Sequence, residues 1–141
     1  MSFTINVAFD AASLAAVARL AAFDGYFAMR MMDAGNASLE RLEVNAQDYM
    51  WSTFMNPTGP LEDSLERQMF SPWMGHVATN MPYSRRRNWG FSGMTDSLGR
   101  FYPHDPGIEY MEQSIDISTP DIIGYYKTGI EQTILDLGGV P

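Results

Sequence analysis

The sequence has no cysteine, one lysine and two histidines. Without cysteine the chain can form neither a disulfide framework nor a thiolate zinc site, which fits synthesis in the cytosol. The histidines, His76 and His104, do not stand at the spacing of a metal-binding pair such as H-x-x-x-H. His104 and Asp105 near Asp96 suggest a metal cluster, but Asp and His are ordinary residues in such a turn-rich segment. We therefore predict no metal site.

Sequence motifs of catalysis are also absent. Gly90, Gly93 and Gly99 are irregularly spaced and no G-K-S/T follows them, so the chain has no phosphate-binding loop. There is no G-x-S-x-G elbow for a nucleophilic serine. The adjacent acids Glu62 and Asp63 are typical of a first helical turn rather than of an acid–base pair. The sequence predicts a protein that is not an enzyme and that carries no cofactor.

Long hydrophobic runs are missing as well. No run reaches the ~18 apolar residues that a membrane-spanning helix needs. The alanine-rich segment 11–22 contains Arg19 and follows an acidic rather than a basic start, so we expect neither a membrane span nor a signal peptide. A chain of 141 residues, 45% of them hydrophobic, is suited to a single domain over residues 1–141.

Charge is unevenly distributed along the chain. The net charge of −8 argues against a free-standing nucleic-acid binder, because phosphate neutralisation needs surplus Lys and Arg. Residues 61–100 carry five arginines against four acids, with Arg85, Arg86 and Arg87 consecutive, whereas residues 101–141 carry seven acids against one lysine. The arginines indicate a docking patch for an acidic protein surface or, as the alternative, a solvated helix face. The two regions would form either an ion network within one subunit or the two halves of a head-to-tail contact.

The N-terminal third predicts a strand followed by helix. Residues 2–9 alternate between apolar and polar, as in a half-buried strand. Asp10 is placed to cap a helix whose apolar side chains recur every three or four residues: Leu14, Val17, Leu20, Phe23, Phe27 and Met31. Residues 33–36, D-A-G-N, predict a break or kink, which leaves open one long helix or two. A second apolar stripe follows it, formed by Leu39, Leu42, Ala46, Met50 and Phe54. Tyr49 and Trp51 lie beside this stripe, either buried or facing a partner.

The middle of the chain predicts two hairpins separated by short helical segments. Residues 57–60 form a turn, 61–65 one helical turn, and 67–80 a strand hairpin interrupted at Pro72. Pro82 then restarts a helix with Asn80 as its cap, and Gly90 ends it. Residues 91–103 have apolar ends around a turn-rich centre, which favours a projecting β-hairpin or loop that packs on a neighbour.

The C-terminal third predicts a core helix. Thr119, Pro120 and Asp121 combine a cap, a first-turn proline and a first-turn acid, which indicates a helix start after a short segment at 108–115. The predicted buried stripe is Ile123, Tyr126, Ile130, Ile134 and Leu137, and Gly138-Gly139 end the helix. These elements predict an α+β fold, in which helices pack on a small, mainly antiparallel sheet.

A family resemblance rests on residues 57–90. Residues 57–65 read P-T-G-P-L-E-D-S-L, residues 78–85 read A-T-N-M-P-Y-S-R, and Trp89-Gly90 follow. This order resembles the tail-completion, or head-to-tail joining, proteins of long-tailed double-stranded DNA bacteriophages, in which a T-G-x-L-x-x-S turn, a V-G-T-x-x-x-Y-A strand end and an E-x-G are common. Ala78 replaces the usual glycine, Ser84 the usual alanine and Trp89 the usual acid.

The resemblance implies a structural virion protein of the neck, made in the host cytoplasm. Copies of the chain would form a ring, most simply a hexamer, between head-tail connector, adaptor or stopper proteins and the tail tube or tail-terminator protein. Double-stranded DNA would pass through the lumen without sequence-specific binding, and no membrane is involved. The predicted subunit or ring contacts are Arg85, Arg86, Arg87, Trp89, Phe91, Phe101 and Tyr102. The alternatives are a tail-terminator or minor tail protein and, in another class, a small-ligand-binding or enzymatic α+β domain.

Overall fold

The computed structural model describes residues 2–6, 25–54 and 59–136, which form an α+β fold as predicted. The strands and helices follow one another in this order: β1 (Ser2–Asn6), α1 (Gly25–Thr53), a 3-10 turn (Glu62–Ser64), β2 (Glu66–Ser71), β3 (Met74–Ala78), α2 (Ser84–Trp89), β4 (Phe91–Thr95), β5 (Phe101–Asp105) and α3 (Tyr110–Asp136). Within this part of the chain, no helix has the length and apolarity needed to cross a membrane.

Two antiparallel sheets contain the five strands described. The first has the order β1-β3-β2, and the second is the β4–β5 hairpin. The strand predicted at the start of the chain pairs with β3 through Phe3 and Val77, and the hairpin predicted at 67–80 is β2–β3. The predicted projecting hairpin is β4–β5, in which Met94 pairs with Tyr102. Residues 7–9 of the predicted first strand lie outside the described residues.

Helix α1 runs without interruption through residues 33–36, so the predicted break there is wrong. Gly35 is buried, and a Cβ at this position would overlap the Met69 side chain of β2 and come within 3.0 Å of the Tyr126 hydroxyl of α3. The glycine therefore allows β2 and α3 to approach the helix closely, and it does not mark a turn. Residues 10–24 of the helix predicted to begin at Asp10 lie outside the described residues, and Phe27 and Met31 of its predicted stripe are buried in α1.

Two apolar clusters fill the space between α1 and α3. The larger contains Leu39, Leu42, Ala46, Met50, Leu61, Leu65, Val77, Tyr110 and Met111. The smaller contains Phe27, Met31, Ala34, Ile122 and Tyr126. The stripe predicted along α1 is thus confirmed, with Phe54 and Tyr49 packed against its end, whereas Trp51 is exposed.

Helix α3 is one helix from Tyr110, and the helix start predicted at Thr119-Pro120 is wrong. Pro120 lies inside the helix on its exposed side, where packing of α3 against α1 outweighs the lost backbone bond. Just before it, the Ser118 hydroxyl accepts a 2.8 Å bond from the amide of Asn45 of α1, and the Thr119 hydroxyl bonds the Ile115 carbonyl.

The earlier start of α3 also changes the buried face. That face is formed by Tyr110, Met111, Ser114, Ser118, Ile122, Tyr126 and Thr133. Ile122 lies one turn after Ser118 and is buried, whereas Ile123 points away and is 60% exposed, so its predicted core position is wrong. Of the remaining predicted stripe, Tyr126 is buried and Ile130 and Ile134 are half-buried, and residues 137–139 lie outside the described residues.

The short helical segments agree with prediction except for one cap. The turn predicted at 61–65 is the 3-10 turn, and Gly90 ends α2. Asn80 does not cap α2: the residue before the helix is Tyr83, which makes no capping side-chain bond. The first turn is instead closed by the backbone, because the Ser84 N–H donates to the Met81 carbonyl at 3.0 Å.

Candidate functional site

Helix α2 is fixed to the start of α3 by buried polar contacts. Asn88 has no exposed surface; its Oδ1 accepts the Met111 N–H at 2.9 Å and its Nδ2 donates to Glu112 at 2.7 Å. The Trp89 indole N–H donates to the other oxygen of Glu112 at 2.7 Å. Asn88 therefore caps α3 from a different element, which orients α2 and its arginines. The Tyr110 hydroxyl adds a bond of 3.4 Å to the Ser84 carbonyl, and burial raises the pKa of Tyr110.

The β4–β5 hairpin begins and ends at a close backbone crossing. Gly90 has φ 75° and Gly107 has φ 73°. A Cβ on Gly90 would overlap the backbone of residues 105–107, and a Cβ on Gly107 would overlap the backbone of residues 88–90. Next to the crossing, the Ile108 N–H donates to the Arg87 carbonyl at 3.0 Å and the Glu109 N–H to the Asn88 carbonyl at 2.8 Å. The base of the hairpin is therefore tied to α2, while its tip extends away.

Asp96 organises the tip of the hairpin. Its carboxylate accepts the N–H groups of Leu98 and Arg100 at 2.9 Å, the Arg100 Nε at 2.7 Å and the Tyr102 hydroxyl at 3.2 Å. The bond from the Arg100 N–H, with those from the Arg100 side chain, Leu98 and Tyr102, lowers the pKa of Asp96 from its usual 3.8. The tip is thus a turn held by one ionised side chain.

The three consecutive arginines are all exposed, and each contacts a different element. The Arg85 guanidinium lies 5.5 Å from the Trp89 ring centre, on α2 itself. Arg87 lies 4.9 Å from the ring centre of Phe54, at the end of α1, and Arg86 contacts the Met94 sulfur of β4. None of the three forms an ion pair with a carboxylate of residues 2–6, 25–54 or 59–136.

Between α2 and the hairpin lies a groove of about 440 Å³. We call it the arginine groove, and it is lined by Tyr83, Arg86, Arg87, Phe91, Met94, Tyr102 and Asp105. Gly93 has φ 66°, which interrupts the strand alternation, so that Phe91 and Met94 both face the groove although they are three residues apart. The Phe91 and Tyr102 rings meet edge to face with their centres 6.4 Å apart.

The arginine groove brings together four of the seven predicted contact residues: Arg86, Arg87, Phe91 and Tyr102. Arg85 and Trp89 stack on each other outside it, and Phe101 is 64% exposed on the hairpin. Sequence reasoning missed Tyr83, Met94 and Asp105. Strand pairing across the turn at Asp96 could have indicated Met94, because it places Met94 opposite the predicted contact residue Tyr102.

The acids of residues 105–136 are divided among several contacts. Asp121 pairs with Arg41 at 2.8 Å, Asp136 pairs with Arg30, and Glu131 lies 3.8 Å from Lys127. Glu112 is bonded by Asn88 and Trp89, and Asp105 lines the arginine groove and accepts the Gly107 N–H. In the described part of the chain, an ion network between Arg85–Arg87 and this acidic region therefore does not form.

The histidines lie in separate surroundings. His104 pairs with Ser92 near the base of the hairpin, whereas Asp96 forms its tip. His76 on β3 meets the ring of Phe70 edge to face, with ring centres 4.7 Å apart. Among the described residues, no three His, Asp or Glu side chains are grouped to hold a metal ion.

Comparison of the chain with protein-family models, with curated proteins and with solved structures found no match.

Proposed function

We propose that this chain is a structural subunit of a phage neck, which forms a ring between the head connector and the tail tube and lets DNA pass. The observation that carries the proposal is the arm formed by α2 and β4–β5, which presents arginine and aromatic side chains next to one another on a rigid base. Contacts of Asn88 and the glycine crossing hold that base. A fixed arm of this kind is suited to binding another protein subunit.

The composition of the arm supports a protein-binding role. Arginine, tyrosine, tryptophan and phenylalanine are enriched where protein interfaces bind most strongly. Trp89 is 50% exposed, Phe101 64% and Leu98 76%, close to exposed arginines. Burial of the exposed part of each such side chain against a partner would contribute about 1–2 kcal/mol of hydrophobic free energy before the cost of association.

The resemblance of residues 57–90 to tail-completion proteins supplies the virion context. The elements of this segment follow the order that the motifs predict: the 3-10 turn, the β2–β3 hairpin and then α2. The net charge of −8 is compatible with a ring whose lumen passes DNA, because a negative bore repels the phosphate backbone and does not retain it.

The test is to ask whether the chain is part of the particle. Mass spectrometry of purified virions should find it at a low copy number, and an antibody label should lie at the neck in electron micrographs. Deletion of residues 94–100 should leave a folded protein and give heads and tails that do not join. Replacement of Leu135 by alanine, at the end of α3 far from the arm, is the control and should give joined particles. A chain absent from joined particles would overturn the proposal.

The volume of the arginine groove gives a second candidate. At about 440 Å³ it lies within the range of small-ligand pockets, which would suit a ligand-binding or enzymatic α+β domain. A ligand bound in the groove would raise the unfolding temperature of the free protein. It would not contact Ile123 or the rest of α3, because no residue of α3 lines the groove. The position of the antibody label distinguishes two further alternatives. A label at the tail tip or along the tail would indicate a minor tail protein. A label at the upper end of the tail, but not at the neck, would indicate a tail terminator.

A further inference from the structure

The outward face of α3 carries an apolar ridge. Ile117 is 53% exposed and Ile123 60% exposed, and Pro120 and Gly124 are exposed between them. At 100° per residue these four residues lie on one side of the helix, opposite the buried line through Ser118 and Ile122. We call this surface the α3 ridge. Ile117 and Ile123 are six positions, about 9 Å, apart along the helix with Pro120 between them, and two isoleucines with more than half of their surface in water mark this strip as a contact surface.

Charged residues border the ridge. Asp116 is exposed and forms no ion pair with a cation of the described residues. The other acids on α3 all have a partner: Asp121 and Asp136 pair with arginines of α1, Glu112 is bonded by α2, and Glu131 lies near Lys127. Asp116 is therefore the acid of α3 that is left for a contact outside the subunit. Lys127, on the same side, lies at 3.8 Å from Glu131 in a weak pair.

The arginine groove has the complementary properties. It is concave where the ridge is convex, and its Phe91, Met94 and Tyr102 side chains offer apolar contacts. Its guanidinium groups of Arg86 and Arg87 have no carboxylate partner in the described part of the chain, and its one acid is Asp105. The groove thus has a surplus of positive charge, and the ridge side of α3 has a surplus of negative charge, because Lys127 there is balanced by Glu131 and Asp116 is not paired.

We propose that the arginine groove binds the α3 ridge of a second copy of this chain. The two surfaces share no residue, so the contact is heterologous and each subunit can use both surfaces at once. Such contacts close into a ring when the rotation between subunits divides a full turn. This contact would be the subunit interface of the proposed neck ring, and closure of the ring rests on that proposed function. Ile117 and Ile123 supply the apolar contact, and Asp116 with Arg86 and Arg87 sets its orientation.

Disulfide trapping tests the contact directly, because the chain has no cysteine of its own. Met94→Cys on one copy and Ile117→Cys on another are mixed and oxidised. We expect a crosslinked 1:1 heterodimer of the two variants. The control pairs Met94→Cys with Leu135→Cys, an exposed site ~27 Å along α3 from Ile117, and should give little crosslink. Equal yields from the two pairs would overturn the proposal.

Complementation of two defective variants tests whether the contact is heterologous. The variant Arg86→Glu/Arg87→Glu has an altered groove and an intact ridge, and Asp116→Asn/Ile117→Gln/Ile123→Gln has an altered ridge, without added charge, and an intact groove. Each should be monomeric by sedimentation velocity at concentrations where the natural chain associates, whereas their mixture should form dimers that grow no further. Circular dichroism confirms that both are folded. Leu135→Gln is the matched control and should change the association constant by less than about twofold.

The outcomes separate this inference from the proposed function. If the chain is found at the neck and neither trapping nor complementation is seen, or if the natural chain stays monomeric at every concentration, the groove–ridge contact is wrong and the neck assignment stands. If both experiments succeed and the chain is absent from virions, the contact stands and the neck assignment is wrong.

Discussion

Gly90 is the residue on which the position of the hairpin depends. Its φ of 75° and ψ of −170° lie in a region that is open essentially to glycine alone, and a Cβ there would overlap the Asp105 carbonyl oxygen. We expect Gly90→Ala to lower the free energy of unfolding by about 3 kcal/mol, because backbone strain and overlap add. Gly99, at φ 78° with no atom within 4 Å of a built Cβ, is the control, and Gly99→Ala should cost about 1 kcal/mol. Urea unfolding measures both, and equal losses would contradict the close crossing.

Asp96 makes the order of the hairpin tip depend on pH. Its pKa is lower in the folded chain than in the unfolded chain, so the ionised carboxylate stabilises the tip at neutral pH. That stabilisation should be lost as pH falls below 3.8 and through the lowered pKa. NMR should therefore show lower protection factors for the Leu98 and Arg100 amide protons in acid, with the observed rate compared with the intrinsic exchange rate at each pH. Asp96→Asn should show fast exchange at neutral pH as well, and a tip that stays protected in this variant would contradict the role of the carboxylate.

The arginine groove could be only partly predicted at the level of residues. Arg86 and Arg87 stand out as a charge cluster, and the apolar ends of the hairpin indicate Phe91 and Tyr102. Asn88 gives no such signal, because its two bonds reach Met111 and Glu112, more than twenty positions along the chain. Local patterns identify which side chains a turn or strand exposes. They do not identify a capping side chain supplied by another element.

The two neighbouring isoleucines of α3 test which face of that helix is the core. Ile122 is 6% exposed in the cluster with Phe27 and Met31, and Ile123 is 60% exposed. We expect Ile122→Ala to lower the free energy of unfolding by about 2–5 kcal/mol, the cost of a cavity in a packed core. Ile123→Ala should change it by less than about 0.5 kcal/mol, as a surface substitution. Urea denaturation of the purified variants gives both values, and the reverse order would place Ile123 in the core.

Long helices are the elements that sequence predicted least well. The hairpins and short helical turns were predicted correctly because glycine, proline and alternation act over a few residues. Gly35 and Pro120 are also residues that locally favour a turn or the end of a helix, yet both lie inside helices. At Gly35 the cause is the approach of Met69 and Tyr126, and at Pro120 it is the packing of α3 on α1. Such tertiary contacts override local preference, and a single sequence does not display them.

At the scale of the molecule, the two apolar clusters share the same pair of helices. The larger one includes Met50 of α1 and Met111 of α3, and the smaller one Phe27 of α1 and Ile122 of α3. No residue of β4 or β5 belongs to either cluster in the described chain. The α1–α3 pair with the β2–β3 hairpin is therefore the stable part of the molecule, and the arm is attached to it through α2 and the glycine crossing.

This arrangement predicts two levels of stability within one chain. The strand β5 is exposed along most of its length, and an isolated two-stranded sheet is at best marginally stable in water. Amide hydrogen exchange should therefore show β4 and β5 opening at a lower free energy than Leu42 or Val77, which should exchange only by global unfolding. In an assembled ring the partner's ridge would cover the hairpin, and its amides should become protected while those of Leu42 change little. Hairpin amides that exchange as slowly as Leu42 in the free monomer would mean that the arm is part of the core.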